Sequence, residues 1–479
     1  MRIKTTLFVG LLLFTHVLSA AAPAAPPNLV LVFIDDMGWG DLSCFGGGAG
    51  DTPHIDRLAE EGIRFEQFYV NAPICSPSRC AITTGQYPQR WDITSYLDNR
   101  GTNARRGVAD WLRPKAPSLA RTLKQGGYAT GHFGKWHLGG QRDVGDAPLI
   151  RRYGFDESLT NFEGLGARLL PLGYDHAGRP PHRHALGSDT LGRGPIFWRD
   201  RAYITRDFVD AAANFIHGAA ERGEPFYANL WPDDVHSPFF PPLDRRGDGS
   251  KRDRYLGVLR SMDEQLGALF NLIRNDPRLR DNTLVLVASD NGPEPGAGSA
   301  GPLRGSKGML YEGGVRSPLI AWGPGVLDAG AAGRVNRESV FAAFDLPPTL
   351  LEIATLGEYA EKTDIEYDGQ ALLAVLRGES EASRDEPLFF RRPPDRDAFA
   401  GVGDLPDLAV RDGRWKLLCE YDGTAPQLYD LGADPGESDN VAAANPTVLE
   451  SLTERLLEWH EAMPKDRGAE LAERRAGKS

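Results

Sequence analysis

Two pairs of oxygen-bearing side chains stand directly after apolar runs that read as buried strands. Asp35-Asp36 follows Asn28-Leu29-Val30-Leu31-Val32-Phe33-Ile34, and Asp290-Asn291 follows Leu284-Val285-Leu286-Val287-Ala288-Ser289. In an open α/β sheet, ligands gather at the carboxyl ends of strands. Three carboxylates and an amide oxygen brought together there repel one another unless a hard cation lies between them, and Ca²⁺ or Mg²⁺ prefers such all-oxygen shells. Either pair alone reads equally well as the cap of a following turn; two pairs at matching strand ends favour a metal. A third chemical feature is Cys75-Ser76-Pro77-Ser78-Arg79. Pro77 and Ser78 favour a helix start, so Cys75 falls at the positive end of a helix, with Arg79 one turn on and able to reach back. A thiol so placed is expected to be acidified and reactive. The competing reading is a buried apolar cysteine.

The motif Cys75-Ser76-Pro77-Ser78-Arg79, with Thr84-Gly85 downstream, resembles the signature of the type I sulfatases, a branch of the alkaline-phosphatase superfamily. Further segments resemble that family in the same order along the chain. They are Asp35-Asp36-Met37-Gly38-Trp39-Gly40-Asp41, Gly131-His132-Phe133-Gly134-Lys135-Trp136-His137-Leu138-Gly139, Val235-His236-Ser237-Pro238 and Ser289-Asp290-Asn291-Gly292. Leu303-Arg304-Gly305-Ser306-Lys307-Gly308, followed by Tyr311-Glu312-Gly313-Gly314-Val315-Arg316, is similar to its last lysine motif, and Gly413-Arg414-Trp415-Lys416-Leu417 to part of its small C-terminal domain.

The resemblance implies a sulfuric ester hydrolase in which a formylglycine-generating maturation enzyme oxidises Cys75, the hydrated product being the nucleophile. It implies one Ca²⁺ held by Asp35, Asp36, Asp290, Asn291 and an oxygen of modified Cys75. Arg79 would hold the modified residue and offset charge near the metal. Lys135 and Lys307 would contact sulfate oxygens where negative charge develops. His137 would pair with a hydroxyl of the modified residue and act as base, and His236 would protonate the departing alcohol. Two other readings stay open: a formylglycine-dependent phosphoester or phosphonate hydrolase, and a non-catalytic glycan-binding protein if Cys75 is never oxidised.

These groups need a scaffold, and the chain reads as one. Helices over Thr52–Gly62 and Ser118–Gln125 and a strand around Tyr128–Phe133 continue the pattern begun by the first strand. A helix over Ile204–Ala220 precedes a strand over Pro225–Leu230, and a helix over Arg254–Ile273 precedes one over Thr283–Ala288. Alternating helices and doubly buried strands predict an α/β fold, a large mostly parallel sheet covered on both faces. Short alternating segments at Leu388–Phe390, Leu408–Val410, Trp415–Leu418 and Gln427–Tyr429, then a helix over Thr447–His460, predict a small antiparallel sheet in a second unit. The expected division is a signal peptide over 1–22, a catalytic domain over 23–383 and a small C-terminal unit over 384–479.

Between Gly139 and Arg201 no period is evident, and a long irregular segment in a compact domain suggests function. Arg179, Arg183 and Arg193, with His176, His182, His184, Tyr174 and Trp198 nearby, are candidates for contacting sugar hydroxyls or a second anionic group. Asp98-Asn99-Arg100 is a second candidate cluster.

The chain of 479 residues carries 54 Lys and Arg against 66 Asp and Glu, a net charge of −12, which argues against nonspecific coating of nucleic acid or anionic membrane. Arg2 and Lys4, an apolar run from Leu7 to Leu18 and the stretch Ser19-Ala20-Ala21-Ala22 have the order of a secretory signal peptide, so export to a periplasm or the exterior is expected. No Asn-x-Ser/Thr site with a permitted middle residue occurs, which suits a bacterial route. Cys44, Cys75, Cys80 and Cys419 are too few to form a disulfide framework, and no CxxC pair points to zinc. A sulfated polysaccharide or its oligosaccharides is the expected substrate.

Overall fold

Strand β1, Asn28–Ile34, is buried at every position and lies between two parallel neighbours, β8 (Phe226–Trp231) and β9 (Thr283–Ser289). That placement explains its unbroken apolar run, since both faces of the strand are covered. The computed structural model describes residues 25–47, 51–161, 163–173, 182–354, 365–395 and 405–475. Alternate residues of β1 divide between two apolar layers. Leu29, Leu31 and Phe33 pack with helices Cys75–Thr84, Leu119–Gln125 and Leu346–Ile353, while Val30, Val32 and Ile34 pack with Pro53–Glu61, Ile204–Arg222 and Lys251–Asn275. The period of two along a strand produces this division.

The remaining strands of the large sheet are β2 (Ile63–Tyr69), β3 (Ala129–Gly134), β4 (Glu157–Thr160), β5 (Arg168–Gly173), β6 (His182–Arg183), β7 (Ile196–Asp200), β10 (Arg316–Trp322), β11 (Arg334–Asn336) and β12 (Phe341–Ala342). The order is β11-β2-β10-β9-β1-β8-β3-β4-β5-β6, with β12 beside β2 and β7 beside β5. Most pairs are parallel; β10 runs antiparallel to β2 and β9, and β6 to β5. The predicted α/β class is the observed one, and the helix and strand ends fall within a few residues of those read from the sequence.

The segment 139–201 departs from its reading as irregular. It supplies β4 to β7, which extend the sheet outward from β3. These strands are short; β7 alternates between half-buried and exposed positions, and the buried β5 has its leucines interrupted by Pro171, so no continuous apolar run marks them. A second sheet, β13 (Leu388–Arg391), β14 (Leu408–Asp412), β15 (Trp415–Cys419) and β16 (Gln427–Asp430), is an antiparallel meander backed by helix Pro446–Ala462. Its Phe390, Leu417 and Leu428 share a core with Tyr69, Ala81, Tyr311 and Phe344 of the larger unit.

Among the described residues no helix is long and apolar enough to cross a membrane. The expected signal peptide lies outside the described residues.

Candidate active site

The register of four neighbouring parallel strands gathers the motif residues. Ile34 pairs with Ser289, so Asp35-Asp36 and Asp290-Asn291 leave the sheet side by side, and Asp290 N–H donates to the Ile34 carbonyl at 3.0 Å. Gly134 pairs with Trp231, and Lys135 N–H donates to the Trp231 carbonyl at 2.9 Å, which sets Lys135 and His137 beside the loop that carries His236. Gly134 has φ +116°, and a Cβ there would lie 2.2 Å from the Trp231 carbonyl oxygen; only glycine lets β3 end this close to β8. Lys307 enters on the loop between β9 and β10. That loop is tied to the segment leading into Cys75 by a bond from Gly308 N–H to the Pro73 carbonyl at 2.7 Å.

Asp35, Asp36 and Asp290 each offer an oxygen within 4.8 Å of the others, and all three are buried. Asn291 Nδ2 donates to Asp36 Oδ1 at 2.8 Å, which leaves Asn291 Oδ1 without a partner; Asp35 Oδ1 accepts no hydrogen bond either. Burial and the neighbouring Asp35 carboxylate push Asp290 well above the ordinary carboxylate range despite Arg79. Burial would raise Asp35 also, but Lys135, His236, Arg79 and Lys307 outweigh it and hold Asp35 low. Buried acceptors short of hydrogen bonds, with only Arg79 at 3.3 Å from Asp35 Oδ1, and mutually repelling carboxylates form a donor set that a hard dication fits. Asp36 sits at φ +59° and its N–H donates to Asp290 Oδ1 at 3.1 Å, an uncommon conformation fixed by the cluster itself.

Three cations face these carboxylates. Lys135 Nζ lies 2.7 Å from Asp35 Oδ2, Lys307 Nζ 2.6 Å from Asp36 Oδ2, and Arg79 Nη2 2.7 Å from Asp290 Oδ2. Arg79 is fully buried over the rings of Trp231 and Phe33 and also donates to the Lys135 carbonyl at 3.1 Å. It therefore binds the carboxylate cluster directly, in keeping with the expected role of offsetting charge there, and not by reaching back along its helix to the thiol.

Cys75 opens the helix Cys75–Thr84, as the Pro77 and Ser78 signal suggests. The expectation of an acidified thiol does not hold. Cys75 is buried, and that burial together with Asp35 pushes the thiol well above its usual range, against the opposing pull of Lys135 and Lys307. Desolvation outweighs the helix end here.

A pocket of about 400 Å³ opens over this centre and is lined by Cys75, His137, His236 and Lys307, with Tyr96, Arg142, Glu163, His184 and Glu294 among its other walls. His236 is partly exposed at 30%; its Nδ1 lies 2.7 Å from the Ser237 carbonyl and its Nε2 3.8 Å from Asp36 Oδ2. His137 is buried, with burial pulling its pKa down against Glu163.

The arginines proposed from the irregular segment fare differently. Arg179, Tyr174 and His176 lie outside the described residues. Arg183 is exposed on β6 and stacks on Trp198 at 4.6 Å, and Arg193 is exposed and donates to the Ala147 carbonyl at 2.7 Å; neither lines the pocket. Of that group His184 does. The Asp98-Asn99-Arg100 cluster is built into local structure: Asn99 caps helix Arg100–Arg106, Arg100 pairs with Asp110 at 2.9 Å, and Asp98 holds Arg142 at 2.5 Å. Glu163, Glu294, Arg142 and Tyr96 escaped the sequence reading, since no spacing relates them to the motifs they meet.

The family model described as Sulfatase matches residues 27–356, and one described as N-sulphoglucosamine sulphohydrolase, C-terminal, matches residues 305–462. The chain is 34% identical over 467 residues to N-acetylgalactosamine-6-sulfatase of Canis lupus familiaris, covering 91% of this chain and 85% of that protein. It is 32% identical over 481 residues to arylsulfatase A of Homo sapiens, covering 90% and 87%. Among solved structures, a sulfatase from Pseudoalteromonas sp. superposes with a TM-score of 0.68 at 26% identity, covering 91% of this chain and 90% of that one.

Proposed function

This chain belongs to the sulfatase family and is a sulfuric ester hydrolase; from that premise we propose that it removes a sulfate monoester from a sulfated carbohydrate, using formylglycine made from Cys75 and a Ca²⁺ held by Asp35, Asp36, Asp290 and Asn291. The observation that carries this reading is the meeting of Cys75, His137, His236 and Lys307 around one pocket, beside a buried cluster of three carboxylates.

Ca²⁺ fits the donor set because Asn291 Oδ1 is buried without a hydrogen bond and Asp35 Oδ1 is met only by Arg79 at 3.3 Å, and when bound it would spread the charge of a sulfate oxygen. Formylglycine fits because residue 75, buried like the rest of its helix, is the position of that helix that lines the pocket, and its hydrate would supply a hydroxyl for attack on sulfur. The remaining chemistry belongs to the side chains. Lys135 and Lys307 place fixed positive charge where the ester's oxygens become more negative. Their carboxylate partners keep both ammonium groups charged; burial opposes that, yet the net effect on each lysine is an upward pKa shift. His236, at the open side of the pocket, gives a proton to the departing alcohol, since a sugar alkoxide leaves badly. His137, on the buried side, takes a proton. Arg79 holds Asp290 and Asp35 in place rather than touching the ester.

The carbohydrate substrate is supported by the relatives named for N-acetylgalactosamine 6-sulfate. The order of charged, apolar and small residues at the N-terminus supports export, with a periplasmic or secreted location. Peptide mapping of Cys75 in protein made with a formylglycine-generating enzyme tests the nucleophile. Sulfate release from aryl sulfate and from sulfated N-acetylgalactosamine, set beside phosphate release from the matched aryl phosphate, tests the reaction. We expect an aldehyde at position 75, sulfate release that chelation abolishes and Ca²⁺ restores, and slower phosphate release. An unmodified thiol in active protein, or faster phosphate release, would overturn the reading.

A further inference from the structure

One residue holds His137 at two points. The His137 backbone N–H donates to the Glu163 carbonyl at 2.7 Å, and His137 Nε2 lies 2.6 Å from Glu163 Oε2. The same Nε2 is hydrogen-bonded to the Leu97 carbonyl oxygen at 3.0 Å, while Glu163 Oε2 accepts no hydrogen bond and stands beside that N–H as a close carboxylate. Both neighbours of Nε2 are acceptors. Leu97 offers a carbonyl, and Glu163 a carboxylate, which burial would raise but which His137, Lys135 and Arg142 hold down at about 2. A ring nitrogen between two acceptors must carry the hydrogen, so the neutral ring keeps its bare lone pair on Nδ1. Nδ1 is buried and has no hydrogen-bond partner, and His137 shares the pocket wall with Cys75.

The backbone points the same way. His137 sits at φ +52°, a conformation that is strained for a non-glycine residue and persists only where the surroundings impose it. A buried carboxylate is itself costly unless paired. Lys135 is engaged by Asp35 at 2.7 Å and Arg142 by Asp98 at 2.5 Å, which leaves the imidazole as the nearest ion-pair contact of Glu163.

We propose that Glu163 is a positioning residue for the hydrolysis: it clamps His137 as the Nε2–H tautomer, so that bare Nδ1 accepts a proton from a hydroxyl carried by residue 75. In that transfer the O–H bond breaks, its electron pair stays on oxygen, and the new N–H bond forms at Nδ1. The imidazolium charge is then offset by the carboxylate 2.6 Å from Nε2. The chemistry rests on the formylglycine reading of Cys75; the tautomer does not.

The test uses the full chain labelled with [¹⁵N]histidine, as wild type and as Glu163→Gln, Glu163→Ala and Glu163→Asp, with His137 assigned through a His137→Gln variant. Ring ¹⁵N shifts separate a protonated nitrogen from a bare one, and they do so even where Cys75 is still a thiol. We expect Nε2–H in the wild type. In Glu163→Gln the amide can turn its NH₂ toward Nε2, so a share of the ring moves to Nδ1–H. Turnover of an aryl sulfate should fall about 10- to 100-fold in kcat with KM little changed, and Glu163→Asp should recover part of it. A bare Nε2 in the wild type overturns the proposal outright, with no variant needed. Variants that keep both tautomer and kcat overturn it, as does a change in either one without the other. If wild-type protein lacks sulfatase activity and formylglycine, the formylglycine reading has failed, while the ring shifts still decide the role of Glu163.

Discussion

Lys135 and Lys307 set an ammonium against the same carboxylate cluster from different depths. Lys135 is 1% exposed on Asp35, and Lys307 is 11% exposed on Asp36. Loss of one donor from a site that stabilises developing charge costs about 10²–10³ in kcat, so Lys135→Ala and Lys307→Ala should both fall in that range on an aryl sulfate. Their stabilities should differ. Removing one partner of a fully buried pair costs about 3–5 kcal/mol, so the thermal midpoint of Lys135→Ala should drop clearly more than that of Lys307→Ala. Equal midpoints would show that burial does not distinguish the two pairs. These lysines were legible because they sit inside motifs of fixed spacing. Glu163 and Glu294 were not, since each reaches the pocket from a loop whose path is set by packing. Glu294 lies 3.2 Å from Lys251 and 3.8 Å from Lys307, a relation no local pattern encodes. Arg183 and Arg193 show the converse, for a local cluster of charge said nothing about which way each side chain faces.

The elements that deliver these side chains follow one rule: β3, β8, β1 and β9 are adjacent and parallel, and each ends at the pocket. Their apolar runs made them readable. The outer strands were not readable, because β4, β6 and β7 are partly exposed and lose the continuous apolar signal, while the buried β5 is interrupted by Pro171. The fourth delivery, by β9, depends on a glycine just past its end. A Cβ on Gly292 would lie 1.9 Å from the Gly313 carbonyl oxygen, and Gly292 N–H donates to the Gly314 carbonyl at 3.0 Å. Gly292→Ala must therefore push the 313–314 backbone away from Asn291 and disturb the loop bearing Lys307. We expect a destabilisation of about 1–3 kcal/mol with loss of Ca²⁺ affinity, measured by calorimetry. Gly101→Ala is the contrast. It lies in helix Arg100–Arg106, where its new Cβ meets only an ordinary contact at 3.5 Å, and it should be neutral or stabilising by about 0.5–1 kcal/mol.

Across the whole molecule, the net charge of −12 does not conflict with an anionic substrate, because Lys135 and Lys307 set buried positive charge beside a carboxylate cluster that could bind a metal, whatever the exterior carries. The joint between the two sheets follows a related logic. Lys416 of β15, fully buried, lies 2.9 Å from Glu312 and 3.0 Å from Glu437; Glu437 also accepts from Glu312 N–H at 2.7 Å. Arg304, three residues before Lys307, donates to the Glu437 carbonyl at 2.9 Å and to Tyr429 at 3.0 Å. The small sheet thus anchors the lysine loop. Sequence resemblance placed Lys416 in the small unit, but nothing in the sequence showed it buried between two glutamates. Two carboxylates facing one ammonium titrate in opposite directions. Burial would raise Glu312, yet Lys416 and two arginines hold it at about 2, so its contribution is fully present above pH 4.5 and is lost as pH falls toward 2. Burial and Glu312 push Glu437 up to about 7 despite Lys416. Folded protein therefore keeps a proton there that the unfolded chain releases, and stability declines as pH rises from 4.5 to 7 and then levels. Glu437→Gln removes that decline while an amide oxygen can still accept from Glu312 N–H. The fall in stability between pH 5 and pH 8 should shrink by about 1–3 kcal/mol relative to wild type, read as a smaller difference between the two thermal midpoints. Because only the slope with pH is compared, a constant penalty from the substitution drops out. An unchanged slope would assign the titration to another group and leave Lys416 balanced between two ionised glutamates.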